Sequence, residues 1–196
     1  MNPLVVKIGG SLLEYAADIV RVIHKFPRAP LLIVPGGGPF ADQVRSLTLP
    51  PDEAHWMAIA AMEQYGWYIA SCGLGITESL RTPSIPSIFL PYRTMRDRDP
   101  LPHTWEVTSD TIAAWTASVL DTDLLLLKPV DGLFQNGLLR NHIDEVIPCC
   151  EVDAAFLPFV LSHRVRCTVI NGSVPGRLDD FLRGIPVCGT QIETTF

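Results

Sequence analysis

The sequence predicts an α/β protein, a mainly parallel open sheet sandwiched between helices. Three observations carry that expectation. Short apolar runs, Leu4-Val5-Val6, Leu31-Leu32-Ile33-Val34 and Leu124-Leu125-Leu126-Leu127, have the composition of strands covered on both faces. Segments with helical spacing alternate with them, as crossovers between parallel strands require. Two of the strands run into glycines, Gly9-Gly10 and Gly36-Gly37-Gly38, where a helix begins. Glycines let the backbone approach an anion closely, and a helix start supplies N–H groups and a positive dipole end.

The 196 residues suit one domain over 1–196 with a sizeable core. A hydrophobic fraction of 47% against 18% charged residues argues against disorder. The net charge of −6, with no lysine or arginine run, disfavours nucleic acid as a partner. No apolar stretch reaches membrane-spanning length, and the N-terminus lacks the basic start and long apolar run of a signal peptide. The odd set of five cysteines has no Cys-x-x-Cys pair, so no cysteine metal site is expected. These features point to a cytoplasmic protein with reduced thiols.

In chain order, the stretch from Leu4 to Ser11 reads as a buried strand running into a glycine turn, with Lys7 at the strand's end. The strand leads through Gly9-Gly10-Ser11 into a helix over Leu12–Lys25, with Leu13, Ala16, Ala17, Val20 and Ile23 on one face. Taken alone, that junction is equally a tight turn with an exposed lysine. The second strand ends in the Gly36–Gly38 cluster and a helix over Phe40–Leu47. Two such junctions on neighbouring parallel strands can face each other where ligands bind. Asp52–Cys72 reads as a long helix, apolar almost all round, and so buried or at a subunit contact. Its His55, Trp56, Met62 and Trp67 fit core or interface better than a pocket. Residues 73–86 read as loop and a short helix, and Ser87–Pro91 as a strand. The charged run Arg93–Pro100 reads as a solvated loop, or a flap near an anionic substrate. Thr111–Leu120 is a helix that Thr108 or Ser109 could cap, with Asp110 facing its dipole. A buried strand ends at Lys128 before an Asp131-Gly132 turn. The remaining elements are a strand over Asp144–Pro148, a helix over Val152–Ser162, a strand Cys167–Ile170, a helix over Pro175–Arg183 and a closing strand at Gly189–Ile192.

Five motifs stand in this order: Lys7-Ile8-Gly9-Gly10-Ser11, Pro35-Gly36-Gly37-Gly38, Thr108-Ser109-Asp110-Thr111-Ile112-Ala113-Ala114, Lys128-Pro129-Val130-Asp131-Gly132-Leu133-Phe134 and Gly189-Thr190. Each is weak alone. Together they resemble the amino-acid kinase superfamily over nearly the whole chain. Within it the chain most resembles the kinases of methanofuran biosynthesis, which phosphorylate (5-(aminomethyl)furan-3-yl)methyl phosphate. The long helix and the Trp105–Trp115 segment support that choice.

The resemblance implies an αβα kinase fold, ATP as co-substrate with Mg2+ on its phosphates, and a small phosphate acceptor. It implies a homo-oligomer, dimer or higher, with no membrane or nucleic-acid partner. Lys7 would neutralise the transferring phosphoryl and Asp110 would orient Lys7. Gly9, Gly10 and Ser11 would hold the donor phosphates, and Lys128, Asp131, Gly132 and Phe134 would lie along the nucleotide. Gly36, Gly37 and Gly38 would hold the acceptor's phosphate, with Asp42, Arg45, Thr108 and Ser109 beside it. No residue is assigned as a metal ligand. Departures qualify the resemblance. The second catalytic lysine of acetylglutamate-type relatives, in a Gly-Met-x-x-Lys segment, has no counterpart, and Leu161–Arg166 offers only His163 or Arg164 in its place. The histidine of isopentenyl phosphate kinases four residues after the third glycine is Asp42 here. The arginine that uridylate kinases place close behind the glycines is at Arg45, a helical turn further on. The other functions the family allows are a kinase for UMP, isopentenyl phosphate or an amino acid, and a non-catalytic anion-storage relative. A carboxylate at Asp42 suits an acceptor bearing an amine.

Overall fold

The computed structural model describes residues 2–194. Strand β1 (Leu4–Ile8) is followed by a 3-10 helix (Gly10–Tyr15), then α1 (Ala16–Ile23). Next come β2 (Leu31–Pro35), α2 (Gly38–Arg45), the long α3 (Pro51–Ser71), β3 (Gly75–Thr77), β4 (Ser87–Phe89), α4 (Tyr92–Arg98) and α5 (Ser109–Leu120). The second half holds β5 (Asp123–Lys128), a hairpin of β6 (Leu133–Gln135) and β7 (Leu138–Arg140), and β8 (His142–Ile143). It ends with α6 (Phe156–Ser162), β9 (Cys167–Asn171), α7 (Arg177–Leu182) and β10 (Gly189–Ile192). Among the described residues, eight strands form one sheet in the order β3-β4-β2-β1-β5-β9-β10-β8. Its pairs are parallel except β9 with β10. The mainly parallel open sheet is therefore as expected, and no described helix is long and apolar enough to cross a membrane.

Side chains alternate across a strand with period two. Val5, Leu32, Val34, Leu124 and Leu126 enter the core on one face, with Ile112, Ala113 and Phe156. Val6, Ile8, Leu31, Ile33, Leu125 and Leu127 enter the opposite core, with Ala16, Ile19, Val20 and Leu178. Both faces are apolar because both are covered, which is why these strands carry no polar alternation. The same alternation puts Lys7 on the face of Val5, and Lys128 on that of Leu126. Strands β1 and β5 pair Ile8 with Leu127. Both lysines thus stand at the C-terminal ends of adjacent strands, on the face that α5 covers.

Several local expectations are corrected. The first helix opens as a 3-10 turn, and its buried face is Leu12, Ala16, Ile19, Val20 and Ile23, with Ala17 exposed. Residues 73–86 form the edge strand β3 and contain no helix. The charged run is helical, as α4, and Arg96 lies over the Trp56 ring at 4.5 Å. The strand expected at Asp144–Pro148 lies earlier, at His142–Ile143, and α6 begins only at Phe156. The closing strand β10 runs antiparallel to β9, with β8 outside it. The β6–β7 hairpin turns on Asn136-Gly137, both with positive φ (53° and 77°). That dipeptide is a strong hairpin signal and was readable in the sequence.

The two glycine junctions pack backbone against backbone. A Cβ on Gly10 would lie 2.1 Å from the Gly38 nitrogen, and one on Gly36 would lie 2.5 Å from the Gly10 nitrogen. Such a contact requires glycine whatever binds nearby. Gly10→Ala is expected to destabilise the protein by about 3 kcal/mol or more, since backbone cannot yield as side chains do. Gly75→Ala, where nothing lies within 4 Å, should be near neutral. Denaturant midpoints of the two variants check this contrast, and equal midpoints would contradict it.

Candidate active site

Lys7 is the penultimate residue of β1, and burial alone would expel its charge. It is 2% exposed and donates a short hydrogen bond to Asp110 Oδ1. The other carboxylate oxygen, Oδ2, accepts from Lys128 Nζ at 2.6 Å. One buried carboxylate therefore holds two ammonium groups from neighbouring strands. Burial lowers the Lys7 pKa, against the pull of Asp110 and with the repulsion of Lys128. For Asp110 burial works upward, but Lys7 and Lys128 together outweigh it and hold the carboxyl below its usual range. With both amines protonated the trio carries one net positive charge. The reading of Lys7 as an exposed turn lysine is thus excluded, and Asp110 does more than complement a helix dipole.

A cavity of about 650 Å³ opens onto this trio. Lys7, Lys128, Asp110 and Ser109 form its floor, with Gly10 and Ser11 from the first junction and Gly37 and Gly38 from the second. Asp42, Arg45 and Thr108 also line it, as do His55, Met62, His103 and Trp105. The sequence had left His55 and Met62 to the core. His103, Trp105 and Met62 were not marked as site residues because only the fold brings 49–62 and 103–112 to one space. Asp42 and Arg45 pair at 3.2 Å, both side chains largely exposed, and the Arg45 guanidinium lies 4.7 Å from the Trp105 ring centre.

Other expected residues stand elsewhere. Gly9 and Gly36 do not line the cavity, and their N–H groups are spent on Leu127 O (3.1 Å) and Ile8 O (2.8 Å). They tie the strand ends together and are not free to grip phosphate. Asp131, Gly132 and Phe134 also lie outside the cavity. The Asp131 carboxylate accepts from Arg177 and, at 3.1 Å, from Asn171. Gly132 has φ +152, and a Cβ there would meet Thr190 Oγ1 at 2.4 Å. Thr190 accepts from Leu133 N at 2.8 Å and donates to Arg140 O at 2.6 Å. The terminal Gly-Thr motif thus pins the Asp-Gly turn. His163 and Arg164 precede β9, whose first residue, Cys167, pairs with Leu124 near the start of β5. They lie toward the end of the sheet opposite Lys128. Among the described residues no group of three or more His, Cys, Asp or Glu is arranged to hold a metal ion.

At the far end of the cavity the His55 and His103 rings stack, with centres 4.1 Å apart. His103 bridges Asp52 (2.7 Å) and Asp99 (2.8 Å), and these hydrogen bonds raise its pKa. Burial, then the neighbouring His103 charge, brings His55 down to about 4. A raised folded-state pKa stabilises the fold fully below the unfolded value near 6.5 and loses that contribution as pH rises through the folded value. The Tm advantage of wild type over His103→Gln should therefore be larger at about pH 6 than at about pH 9. A gap that does not change with pH would contradict a charged His103.

No protein-family model matches the chain. It is 28% identical over 201 residues to the [5-(aminomethyl)furan-3-yl]methyl phosphate kinase of Methanocaldococcus jannaschii, spanning 92% of this chain and 93% of the relative. Among solved structures it resembles UMP kinase from Ureaplasma parvum, with a TM-score of 0.68 and 16% identity over 99% of this chain and 100% of that one. An isopentenyl phosphate kinase matches at a TM-score of 0.65 and 16% identity, over 97% and 100%. The chain thus shares the fold of these two solved kinases and is similar in sequence to the M. jannaschii kinase over most of both chains.

Proposed function

We propose that the protein is an ATP-dependent kinase acting on a small phosphate monoester, and that its acceptor is [5-(aminomethyl)furan-3-yl]methyl phosphate in methanofuran biosynthesis. The observation that carries the chemistry is the Asp110 carboxylate holding Lys7 and Lys128 at the floor of the cavity. The similarity to the M. jannaschii kinase over most of both chains supports the acceptor.

In this reading the acceptor's phosphate oxygen attacks the γ-phosphorus of ATP. The bond from that phosphorus to the bridging oxygen breaks, ADP leaves, and a diphosphate forms. Little covalent work falls to the protein, and positioning and charge stabilisation dominate. Lys7 and Lys128 neutralise the transferring group. Asp110 is no base: its two oxygens are engaged by the lysines, and an acceptor phosphate is already anionic. Gly10, Ser11, Gly37 and Gly38 offer backbone close to the phosphates, with Ser109 and Thr108 beside them. Mg2+, bound on the nucleotide phosphates, would supply further positive charge there, and Asp110, engaged by both lysines, would not be its ligand. In this reading the part of the cavity lined by Gly37, Gly38, Asp42, Arg45, Thr108 and Ser109 receives the acceptor. ATP approaches from the side of the Asp131–Phe134 turn. Exposed Met57, Trp67 and Tyr68 on α3 suit contact with a second copy of the chain.

The test is ADP release by purified protein against a panel of the aminomethylfuran phosphate, UMP, isopentenyl phosphate and an amino acid. Turnover is expected with the first. Lys7→Ala and Lys128→Ala should each lower kcat by roughly 100- to 10,000-fold, the scale of losing a principal charge stabiliser. Asp110→Asn should lose activity similarly and about 3–5 kcal/mol of stability, because two lysines are left together without their counter-charge. Preferential turnover of UMP would replace the acceptor. No turnover with any nucleotide and acceptor would point to an anion-binding relative.

Asp42 tests the acceptor's amine. Asp42 is largely exposed, so its ion pair with an ammonium group is worth about 0.2–1 kcal/mol, up to about fivefold in affinity. Asp42→Asn should raise KM for the aminomethyl acceptor by about that factor, leave KM for ATP unchanged, and spare an analogue with methyl in place of aminomethyl. Equal weakening of both acceptors would show that Asp42 instead acts through Arg45.

A further inference from the structure

Helix α5 places Asp110 in its first turn, yet the helix lacks a side-chain cap of its own. Thr108 occupies the cap position with extended backbone (φ −127, ψ −162), but its hydroxyl makes no capping bond within the helix. The cap comes from elsewhere. Asp153, in the turn before α6, accepts from Thr108 N at 3.0 Å, Thr108 Oγ1 at 2.8 Å and Thr111 N at 3.1 Å, all at Oδ2. Its Oδ1 accepts from Thr111 Oγ1. A single half-buried carboxylate thus replaces the N-cap oxygen and fastens two hydroxyls. The turn is secured a second time, since Ala155 N donates to Glu106 O at 3.0 Å. Thr108 and Thr111 bracket Asp110, so this grip fixes the backbone from which the Asp110 carboxylate reaches both lysines. The negative charge of Asp153 also acts on Lys7, favouring its ammonium form.

We propose that Asp153 is a positioning residue for phosphoryl transfer, acting by locking the first turn of α5 so that Asp110 stays between Lys7 and Lys128. The inference rests on the reading of Asp110 as the organiser of those lysines. A carboxylate accepts all four bonds, whereas Asn would keep the three on one oxygen and have to reverse the fourth, its amide donating to Thr111 Oγ1. Nothing in Glu151-Val152-Asp153 signals this role locally, since the partners lie 42 and 45 residues upstream.

The test is a double-mutant cycle of Asp153→Ala with Asp110→Asn, assayed below the Tm of each protein, with kcat, both KM values and Tm measured for all four. Asp153→Ala alone should lower kcat about ten- to a hundredfold, the scale of a small misplacement of catalytic groups, with both KM values within about twofold. In the Asp110→Asn background the same change should move kcat by less than about twofold, because the group being positioned is gone. The fall in Tm should appear in both backgrounds. If Asp153→Ala does not fold, Asp153→Asn is read in the same cycle and should give a smaller loss with the same non-additivity. Equal fold losses in both backgrounds, or full activity of the single variant, would overturn the inference while leaving the role of Asp110 intact. Full activity of Asp110→Asn would overturn both.

Discussion

The structure depends on one carboxylate shared by two buried or half-buried lysines. Removing Lys7 from water is costly, and Asp110 compensates for that cost only in part, which is why burial still lowers the Lys7 pKa. A buried ion pair of this kind is poor evidence for stability, since apolar residues of similar size often do as well. Its presence is better explained by what it leaves over. Two ammonium groups against one carboxylate leave a positive charge at the floor of a cavity, fixed in place before any ligand arrives. Preorganised charge costs no reorganisation when a phosphoryl group passes.

The rest of the fold serves that placement. Parallel pairing of β1 with β5 brings Lys7 and Lys128 to one edge and one face. The apolar residues on either side of them in the strands fill both cores, so the strands cannot slip by one residue without burying the lysines on the wrong face. The two glycine junctions meet at the same edge, so close that neither Gly10 nor Gly36 tolerates a Cβ. Helix α5 lies over the pair with its N-terminal turn at the lysines, and Asp153, far away in sequence, fastens that turn from the segment before α6.

Much of this was legible in the sequence, and the reasons differ by element. Strands covered on both faces are continuous apolar runs, so β1, β2, β5 and β9 were readable almost to the residue. The glycine junctions and Asp110 were readable because close backbone approach and buried charge restrict residue type. Roles among the glycines were not, since whether an N–H faces a ligand or a neighbouring strand depends on pairing. Gly9 and Gly36 use theirs on Leu127 and Ile8. Short edge elements such as β3 and β8 carry too few residues to show a period, and their positions were missed. Lys128 was read only as lying along the nucleotide, and its bond to Asp110 followed from strand register that the sequence does not show. His103, Trp105 and Asp153 were invisible as site residues, because each owes its place to contacts far away in the chain.

The most direct measurement of the central claim is a crystal structure with ADP, aluminium fluoride and the acceptor phosphate bound. The account predicts Lys7 and Lys128 Nζ both in contact with the fluoride ligands, and Asp110 still joined to both lysines and clear of the acceptor. A structure in which either lysine turns away from the fluoride, or Asp110 moves onto the attacking oxygen as a base, would contradict it.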